Sequence, residues 1–188
     1  MSVPDPISQR FLHYSAEYSA ELQLQVLGVR PEELLEPILD LGCGAQAALV
    51  RQLRACGRDA YGLDRAATPD EFVDRADWFD GPLGRSRWGT VISHMALSNH
   101  FLHHHLRPDG QAERYARRYM DILRALQPGG AFLYAPGLPF LESLLPEEVY
   151  AVAGRPVQDL VGGAVDQELR DAFGTSVLYA CRVTRLSR

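Results

Sequence analysis

The chain has 188 residues, a formal net charge of −5 and a hydrophobic fraction of 46%. These values predict one soluble globular domain with a single sizeable core. The acidic balance disfavours a nucleic-acid partner, because phosphates attract clustered positive charge. No apolar run approaches the length of a membrane span, and residues 1–10 lack the pattern of a secretory leader. We therefore expect no membrane partner and a cytoplasmic location.

Cysteine and lysine usage excludes several kinds of chemistry. Cys43, Cys56 and Cys181 form no C-x-x-C pair, which favours reduced thiols over a disulfide framework or a zinc site. All 19 basic residues are arginines. Without lysine the chain has neither a Walker A phosphate loop nor the amine of a Schiff base. By correlation alone, an arginine-only chain also suggests a bacterial source.

Strands and helices alternate along the chain from residue 37. The predicted strands are ILDLG at 38–42, DAYGLD at 59–64, ADWF at 76–79, WGTVISHMAL at 88–97, AFLYAP at 131–136 and SVLYACRVTRL at 176–186. The predicted helices are 46–56, stopped by Gly57, and 111–127, stopped by the PGG turn at 128–130, with shorter helices expected within 139–150 and near 165–172. This alternation predicts a mostly parallel sheet with helices on both faces, and ligands in such sheets bind beyond the carboxyl ends of the strands.

The turn after the first strand fits two cofactor patterns. Read from Gly42, residues 42–47 fit G-x-G-x-x-G/A, the dinucleotide fingerprint. Read from Asp40, they differ at one position from the D-x-G-x-G-x-G turn that binds S-adenosylmethionine. A carboxylate at Asp40 opposes a pyrophosphate but complements the ammonium and sulfonium groups of S-adenosylmethionine, by on the order of a few kcal/mol. Asp64 does not discriminate, because it could hold the ribose of either cofactor or simply cap a strand.

The ordered motifs resemble those of class I S-adenosylmethionine-dependent methyltransferases. The resemblance covers about Ile38 to Tyr134, and its second motif, LQPGGAF before the fifth strand, is absent from nicotinamide Rossmann domains. It implies a Rossmann-like, doubly wound α/β fold with a mostly parallel seven-stranded sheet, helices on both faces and an antiparallel last strand. It also implies one domain over 1–188, divided into a lid segment at 1–36, a cofactor-binding core at 37–135 and an acceptor-pocket region at 136–188.

The resemblance implies a role for each matched position. Asp40, Gly42 and Gly44 would line the methionine part of the cofactor, and Asp64 would hold the ribose. Asp77 and Trp78 would contact the adenine, and Ser93 and His94 would face the methyl group. The expected cofactor contacts are Tyr14, Asp40, Gly42, Cys43, Gly44, Gln46, Asp64, Arg65, Asp77, Trp78 and Ser93. Tyr14 or Tyr18 would close over the cofactor from the lid segment, unless these tyrosines pack in the core.

Gln46 departs from the family pattern, because a third glycine commonly stands at this position. Its side chain could point away from the cofactor as a tolerated substitution, or it could weaken or alter cofactor binding.

Five histidines lie within SHMALSNHFLHHHL at 93–106. His100 and His104 would share a helix face, but the glutamate of an H-E-x-x-H site is absent, so no metal is expected. His94, at the end of the fourth strand, is the candidate general base, with a structural histidine as the alternative. Asn99 and His100 are secondary candidates for orienting the substrate.

The function predicted is methyl transfer to a small-molecule acceptor. The segment SHMA at 93–96 lacks the N/D-P-P-Y pattern typical of DNA amino methylation. The acceptor pocket would come from the N-terminal segment, from 98–107 and from 136–163. The alternatives are a non-catalytic S-adenosylmethionine-binding or scaffolding protein and, less favoured, an NAD-dependent oxidoreductase.

Overall fold

The structure is a computed structural model that describes residues 18–105, 109–157 and 179–187. The strands are β1 (Ile38–Leu41), β2 (Ala60–Asp64), β3 (Val73–Arg75), β4 (Trp88–His94), β5 (Leu126–Ala135), β6 (Tyr150–Pro156) and β7 (Tyr179–Arg185). The helices are α1 (Ala20–Leu27), α2 (Ala48–Ala55), α3 (Leu97–His105), α4 (Ala112–Ala125) and the single turn α5 (Pro139–Glu142), with a 3-10 turn at Pro31–Glu33. Tyr14 and the helix expected near 165–172 lie outside the described residues.

The strands form one seven-stranded sheet in the order β3-β2-β1-β4-β5-β7-β6. Neighbours from β3 to β5 are parallel, whereas β7 runs antiparallel to both β5 and β6. Six strands therefore share one direction and the last strand opposes them, which confirms the predicted Rossmann-like, mostly parallel fold. In the described ranges, no helix is both long and apolar enough to cross a membrane.

Two hydrophobic cores lie on opposite faces of this sheet. Helix α2 buries Leu49, Val50 and Leu53, and these side chains join the core that contains Ile38 and Ile92. Helix α4 buries apolar and aromatic side chains at helical spacing against the other face, namely Tyr115, Tyr119, Ile122 and Leu123. Each such side chain contributes about 1.5–3 kcal/mol by leaving water. The two helices therefore fix the sheet from both sides, and its carboxyl edge is available for a site.

Two element boundaries differ from the sequence prediction. Helix α4 ends at Ala125, and the LQPGG segment belongs to β5 rather than to a helix end and turn. Leu126 pairs with Trp88, and a register shift between Trp88 and Thr90 accommodates the extended segment. The prediction of a strand at 76–79 was wrong. Strand β3 occupies Val73–Arg75, just before that segment, and ADWF forms the loop that follows.

Strand β6 was not predicted at all. It lies at one edge of the sheet, and only Tyr150 in it is buried. An exposed edge strand lacks the alternation of apolar and polar residues that identifies a strand in a sequence, and Gly154 and Pro156 disfavour one. The one-turn helix α5 does lie within the expected 139–150 segment.

A polar group lies where α4, β5, β7 and α5 meet, and we call it the tyrosine cluster: the buried Tyr119 and Tyr134 with the partly buried Tyr179 and Glu142. The Glu142 carboxylate accepts hydrogen bonds from the Tyr134 hydroxyl at 2.7 Å, the Tyr179 hydroxyl at 2.5 Å and the Leu138 amide at 2.6 Å. Because Tyr134 donates its one proton to Glu142, the 3.0 Å contact between the Tyr119 and Tyr134 hydroxyls is donated by Tyr119. Every hydroxyl in the cluster is hydrogen-bonded.

Candidate functional site

The glycine turn after β1 needs its glycines for two different reasons. Gly42 and Gly44 both have positive φ angles, +88° and +75°, which favour residues without a Cβ atom. At Gly42 a Cβ atom would also lie 2.4 Å from the Cβ of Ala96, which is too close for any side chain. The turn therefore brings bare backbone against the segment that follows β4, and it leaves room above that backbone for a ligand.

Asp64 closes the turn from the end of the neighbouring strand β2. One carboxylate oxygen accepts the Gly44 amide at 3.0 Å, and the other accepts the Ala66 amide at 2.7 Å. These two bonds fix the orientation of the carboxylate, and each oxygen keeps a second lone pair for a further donor. Asp64 can thus hold the turn and still accept hydrogen bonds from a ligand hydroxyl.

A cavity of about 250 Å³ opens between this turn, the end of β4 and helix α1. Its wall consists of Tyr18, Gln23, Gly42, Cys43, Gly44, Ala45, Ala48, Asp64, Arg65, Ala66, Trp78, His94, Met95, Ala96 and His100. Seven residues singled out from the sequence as cofactor contacts or base are brought together there: Gly42, Cys43, Gly44, Asp64, Arg65, Trp78 and His94. The cavity lies at the carboxyl ends of β1, β2 and β4, where a ligand was expected.

Two of the expected residues lie behind the wall rather than in it. Asp40 is 1% exposed, and its Oδ2 atom has no hydrogen-bond partner among the described residues. Burial, reinforced by the charge of Asp64, raises the pKa of Asp40 to about 7. Ser93 donates its hydroxyl proton to the Leu41 carbonyl at 2.9 Å and accepts the Leu97 amide at 3.1 Å. Ser93 therefore ties β4 to the end of β1 and to the start of α3.

His94 is the most unusual polar side chain in the cavity wall. It is only 6% exposed, and neither ring nitrogen has a hydrogen-bond partner within the described part of the chain. The ring packs edge to face against Tyr18, with 4.9 Å between the ring centroids. Burial lowers the pKa of His94 to about 4, so the imidazole is neutral near pH 7. A neutral imidazole offers one donor and one acceptor, and here both are unused.

The backbone on either side of the cavity carries strain. Met95, directly after His94, has a φ angle of +50°, and Ala47, at the start of α2, has a φ angle of +48°. Such angles are uncommon for residues with a side chain and cluster at functional sites. Both positions adjoin wall residues, which supports a binding role for this edge of the sheet.

Two other expected residues lie outside the cavity wall. The Asp77 carboxylate accepts the Phe79 amide at 2.9 Å and does not line the cavity, although Trp78 beside it does. Gln46 is exposed and is not a wall residue, and its backbone carbonyl accepts the Arg51 guanidinium at 2.9 Å. Tyr14 lies outside the described residues. Roles for these three in cofactor binding stay predictions.

Gln23 lines the cavity but was not predicted from the sequence, although its position in α1 could have indicated it. It shares one helix face with Ala20, Leu24 and Leu27, which are all buried, so it is a polar residue on an apolar face. Its Nε2 atom donates to the Tyr18 carbonyl at 3.0 Å, and the side chain lines the cavity. Polar residues within an apolar helix face are worth noting in a sequence for this reason.

In the described residues, no group of three or more His, Cys, Asp or Glu side chains is arranged to hold a metal ion. The expected absence of a metal stays a prediction.

Similarity to solved structures establishes the class of fold, which is that of the class I S-adenosylmethionine-dependent methyltransferases. One similar structure is an S-adenosylmethionine-dependent methyltransferase from Mesorhizobium loti, with 18% identity and a TM-score of 0.54 over 87% of this chain and 98% of that one. At this level of identity the similarity shows the fold.

Two further similar structures contain S-adenosylhomocysteine. The N-methyltransferase NodS from Bradyrhizobium japonicum is 13% identical, with a TM-score of 0.56 over 98% of this chain and 90% of that one. The 1,6-didemethyltoxoflavin-N1-methyltransferase from Burkholderia thailandensis, solved with its substrate bound, is 15% identical, with a TM-score of 0.55 over 100% of this chain and 93% of that one. No protein-family model matches the sequence, and no curated protein sequence is significantly similar to it.

Proposed function

We propose that this protein transfers a methyl group from S-adenosylmethionine to a small-molecule acceptor. The observation that carries the proposal is the placement of Asp40 and Asp64 near the carboxyl ends of adjacent strands, beside a glycine turn that lines a cavity. The Asp40 carboxylate suits a ligand with cationic groups and opposes the pyrophosphate of a dinucleotide, whereas Asp64 could hold the ribose of either cofactor.

The residues present fit such a cofactor. The Asp40 Oδ2 atom has no partner among the described residues and lies beneath the turn, and its pKa is raised to about 7. An ammonium or sulfonium group in the cavity would favour the ionised form of Asp40 and would be stabilised by its charge. Asp64, held by two amides, would accept hydrogen bonds from the ribose hydroxyls. Trp78 would form an apolar wall for the adenine, with Arg65 at the exposed rim.

When bound, S-adenosylmethionine supplies a methyl group already activated by its positive sulfur. The protein then has to align the acceptor and exclude water, and a strong base is not required. His94 can do this work because its imidazole is neutral and neither ring nitrogen is hydrogen-bonded within the described ranges. It would accept a hydrogen bond from the acceptor O–H or N–H and take up the proton as that atom becomes methylated.

The acceptor is proposed to be small and uncharged. Asp64 and Arg65 are the only permanently charged side chains of the described cavity wall, and Asp64 is engaged by amides. Small molecules are also named for one of the similar structures, the toxoflavin enzyme. We propose that the segments 1–36, 98–107 and 136–163 enclose the acceptor, and Tyr18, Gln23 and His100 already line the cavity from the first two.

The alternative of a non-catalytic binding protein rests on Gln46 in place of the third glycine and on the unusual loop after the fourth strand. Gln46 is exposed and lies outside the cavity wall, which weakens the first of these two grounds. The unpartnered His94 nitrogens, in contrast, favour a site that contacts a reacting group.

Turnover tests the proposal directly. The full chain is incubated with S-adenosylmethionine carrying an isotopic methyl label and a panel of uncharged phenols, amines and N-heterocycles. We expect label transfer to at least one acceptor and its loss in Gly42→Val, where a side chain would collide with Ala96. Tight cofactor binding without label transfer across the panel would favour the non-catalytic alternative instead.

A further inference from the structure

Helix α4 contains a buried arginine whose charge the proposed chemistry does not use. Arg118 is 8% exposed, and its Nη2 atom donates to the Gly81 carbonyl at 2.6 Å. Its Nε atom has no partner among the described residues, and the side chain forms no ion pair there. Burial lowers the pKa of the guanidinium, although Asp121, Asp77 and Asp80 oppose this effect. A buried charge without a carboxylate partner is costly, because little in the protein interior replaces the water that the charge loses.

The carbonyl that Arg118 holds belongs to a tight turn at Asp77–Gly81. The Asp80 and Gly81 amides both donate to the Asp77 carbonyl at 3.0 Å, and the Asp77 carboxylate accepts the Phe79 amide. The turn is therefore closed by its own hydrogen bonds and moves as one unit. Trp78, the second residue of the turn, lines the cavity.

Among the described residues, the Arg118 bond is the one buried hydrogen bond that joins this turn to a helix side chain. Gly81 lies against Leu63, the residue before Asp64, because a Cβ atom at Gly81 would be 2.4 Å from the Leu63 Cδ1 atom. Two further residues of α4 contact the turn: the buried Tyr115 ring packs edge to face against Phe79 at 4.8 Å between centroids, and the Arg114 guanidinium lies 4.0 Å from the centre of the Phe79 ring and 3.9 Å from the exposed Asp80 carboxylate. The Tyr115 contact is apolar and sets no hydrogen-bond direction. The exposed Arg114 contacts contribute little, whereas the buried Arg118 bond has a fixed direction.

We infer that Arg118 is a positioning residue for the adenosine end of the cavity. By donating to the Gly81 carbonyl, Arg118 fixes the Asp77–Gly81 turn over the end of β2. This turn sets the position of the Trp78 ring, which lines the cavity together with Asp64. This inference rests on the proposed function, because it assigns the Trp78 wall to the cofactor's adenosine. It adds a residue that touches no ligand and is 40 positions away from Trp78 along the chain (118 minus 78).

Two single substitutions in α4, compared with each other, test the positioning role of Arg118. Arg118→Met removes the charge and the donors but keeps a long side chain, so the variant should fold, with a melting temperature lowered by no more than the loss of one hydrogen bond to the buried Gly81 carbonyl. Arg117→Met is the matched control, because Arg117 is exposed and pairs only with Glu113 on its own helix. Calorimetry with S-adenosylhomocysteine and with 5′-methylthioadenosine, which lacks the amino-acid part, measures the dissociation constants.

We expect Arg118→Met to weaken both ligands by the same factor, about tenfold. Hydrogen exchange of the Phe79, Asp80 and Gly81 amides should accelerate in this variant, whereas the Gly42 and Gly44 amides should not change. Arg118→Lys should restore part of the affinity, and Arg117→Met should behave as wild type. A merely structural role predicts lower stability with unchanged affinity for both ligands and unchanged exchange of the Phe79, Asp80 and Gly81 amides.

Two results would overturn the inference, and they are distinguishable from failure of the proposed function. If wild-type protein binds S-adenosylhomocysteine and Arg118→Met binds it equally well, Arg118 does not position the site. If only S-adenosylhomocysteine is weakened and 5′-methylthioadenosine is not, the residue acts on the other end of the ligand. Wild-type protein that binds neither compound contradicts the proposed function itself and removes the ligand assignment with it.

Discussion

Two polar groups lie at the carboxyl edge of the same sheet, and they differ in how completely they are hydrogen-bonded. In the tyrosine cluster, Glu142 accepts three hydrogen bonds and every hydroxyl has a partner. In the cavity, Asp40 Oδ2 and both nitrogens of His94 have no partner among the described residues. Both regions contain buried titratable side chains, so burial alone does not distinguish a structural cluster from a site.

The difference indicates which region awaits a ligand. Proteins satisfy almost all buried polar atoms, because an unmade hydrogen bond costs about 1–3 kcal/mol. The tyrosine cluster meets this rule internally and needs nothing from outside. Asp40 and His94 violate it beside a cavity, and a bound cofactor and acceptor would supply the missing interactions. Substitutions in the two regions should therefore separate stability from ligand binding.

Glu142→Ala should produce the largest effect, and the effect should be on stability alone. It leaves the Leu138 amide and the Tyr134 and Tyr179 hydroxyls without an acceptor, so the free energy of unfolding should fall by about 3 kcal/mol. Chemical denaturation measures the loss, with the exposed Glu147→Ala as control. S-adenosylhomocysteine affinity of the folded fraction should change by less than about twofold. Lost affinity at full stability would mean that the tyrosine cluster belongs to the site.

His94→Phe should show the reverse behaviour. It keeps the ring that packs against Tyr18 but removes two unpartnered nitrogens, so stability should be unchanged or higher. Turnover on a true acceptor should fall by about 10²-fold, because the group that accepts the acceptor's proton is gone. Single-turnover kinetics at saturating cofactor measures this rate. A near wild-type rate would remove His94 from the mechanism and leave the cofactor site untouched.

Asp40→Asn should weaken cofactor binding without weakening the fold. The variant removes a buried carboxylate whose charge is unsatisfied, so the free energy of unfolding at pH 8 should not decrease. Affinity for S-adenosylmethionine should fall about tenfold. Affinity for S-adenosylhomocysteine should fall by a smaller factor, because only S-adenosylmethionine has a sulfonium charge. Calorimetry with both compounds checks this, and the exposed Asp74→Asn is the matched control. Equal losses for the two ligands would contradict a charge effect at the sulfur.

The same two residues predict opposite pH dependences of stability. The pKa of Asp40 is raised to about 7, so its contribution to stability is complete below about pH 4 and is lost as the pH rises through 7. The pKa of His94 is lowered to about 4, so its neutral buried ring destabilises the fold as the pH falls from about 6.5 towards 4. Between these values each slope is at most about 1.4 kcal/mol per pH unit.

Denaturation curves from pH 4 to 8 separate the two groups. Relative to wild type, Asp40→Asn should become more stable as the pH rises, and His94→Phe should become more stable as the pH falls. Slopes of the same sign in the two variants would contradict this assignment.

Gln46→Gly should have the smallest effect. It restores the family's third glycine, but Gln46 is exposed and outside the cavity wall. S-adenosylhomocysteine affinity should change by less than about twofold, within about 0.4 kcal/mol. A gain of tenfold or more would show that Gln46 weakens cofactor binding after all.

The sequence predicted those features that depend on local chemistry. The strand, glycine turn and helix from Ile38 to Ala55 were predictable because apolar runs, glycines and helical spacing coincide there. Strand β6 was not predictable, because it forms by pairing with the distant strand β7 and its own residues show no strand-like alternation of apolar and polar side chains. The unpartnered state of His94 likewise depends on which elements surround it, and no spacing along the chain reveals it.

The most direct test of the cofactor assignment is calorimetry of the full chain at pH 6.5 with S-adenosylhomocysteine and, separately, with NAD. We expect one S-adenosylhomocysteine per chain, no measurable heat with NAD, and proton release, detected as a dependence on buffer ionisation heat, because an ammonium group would lower the pKa of Asp40. Preferential binding of NAD would contradict the account.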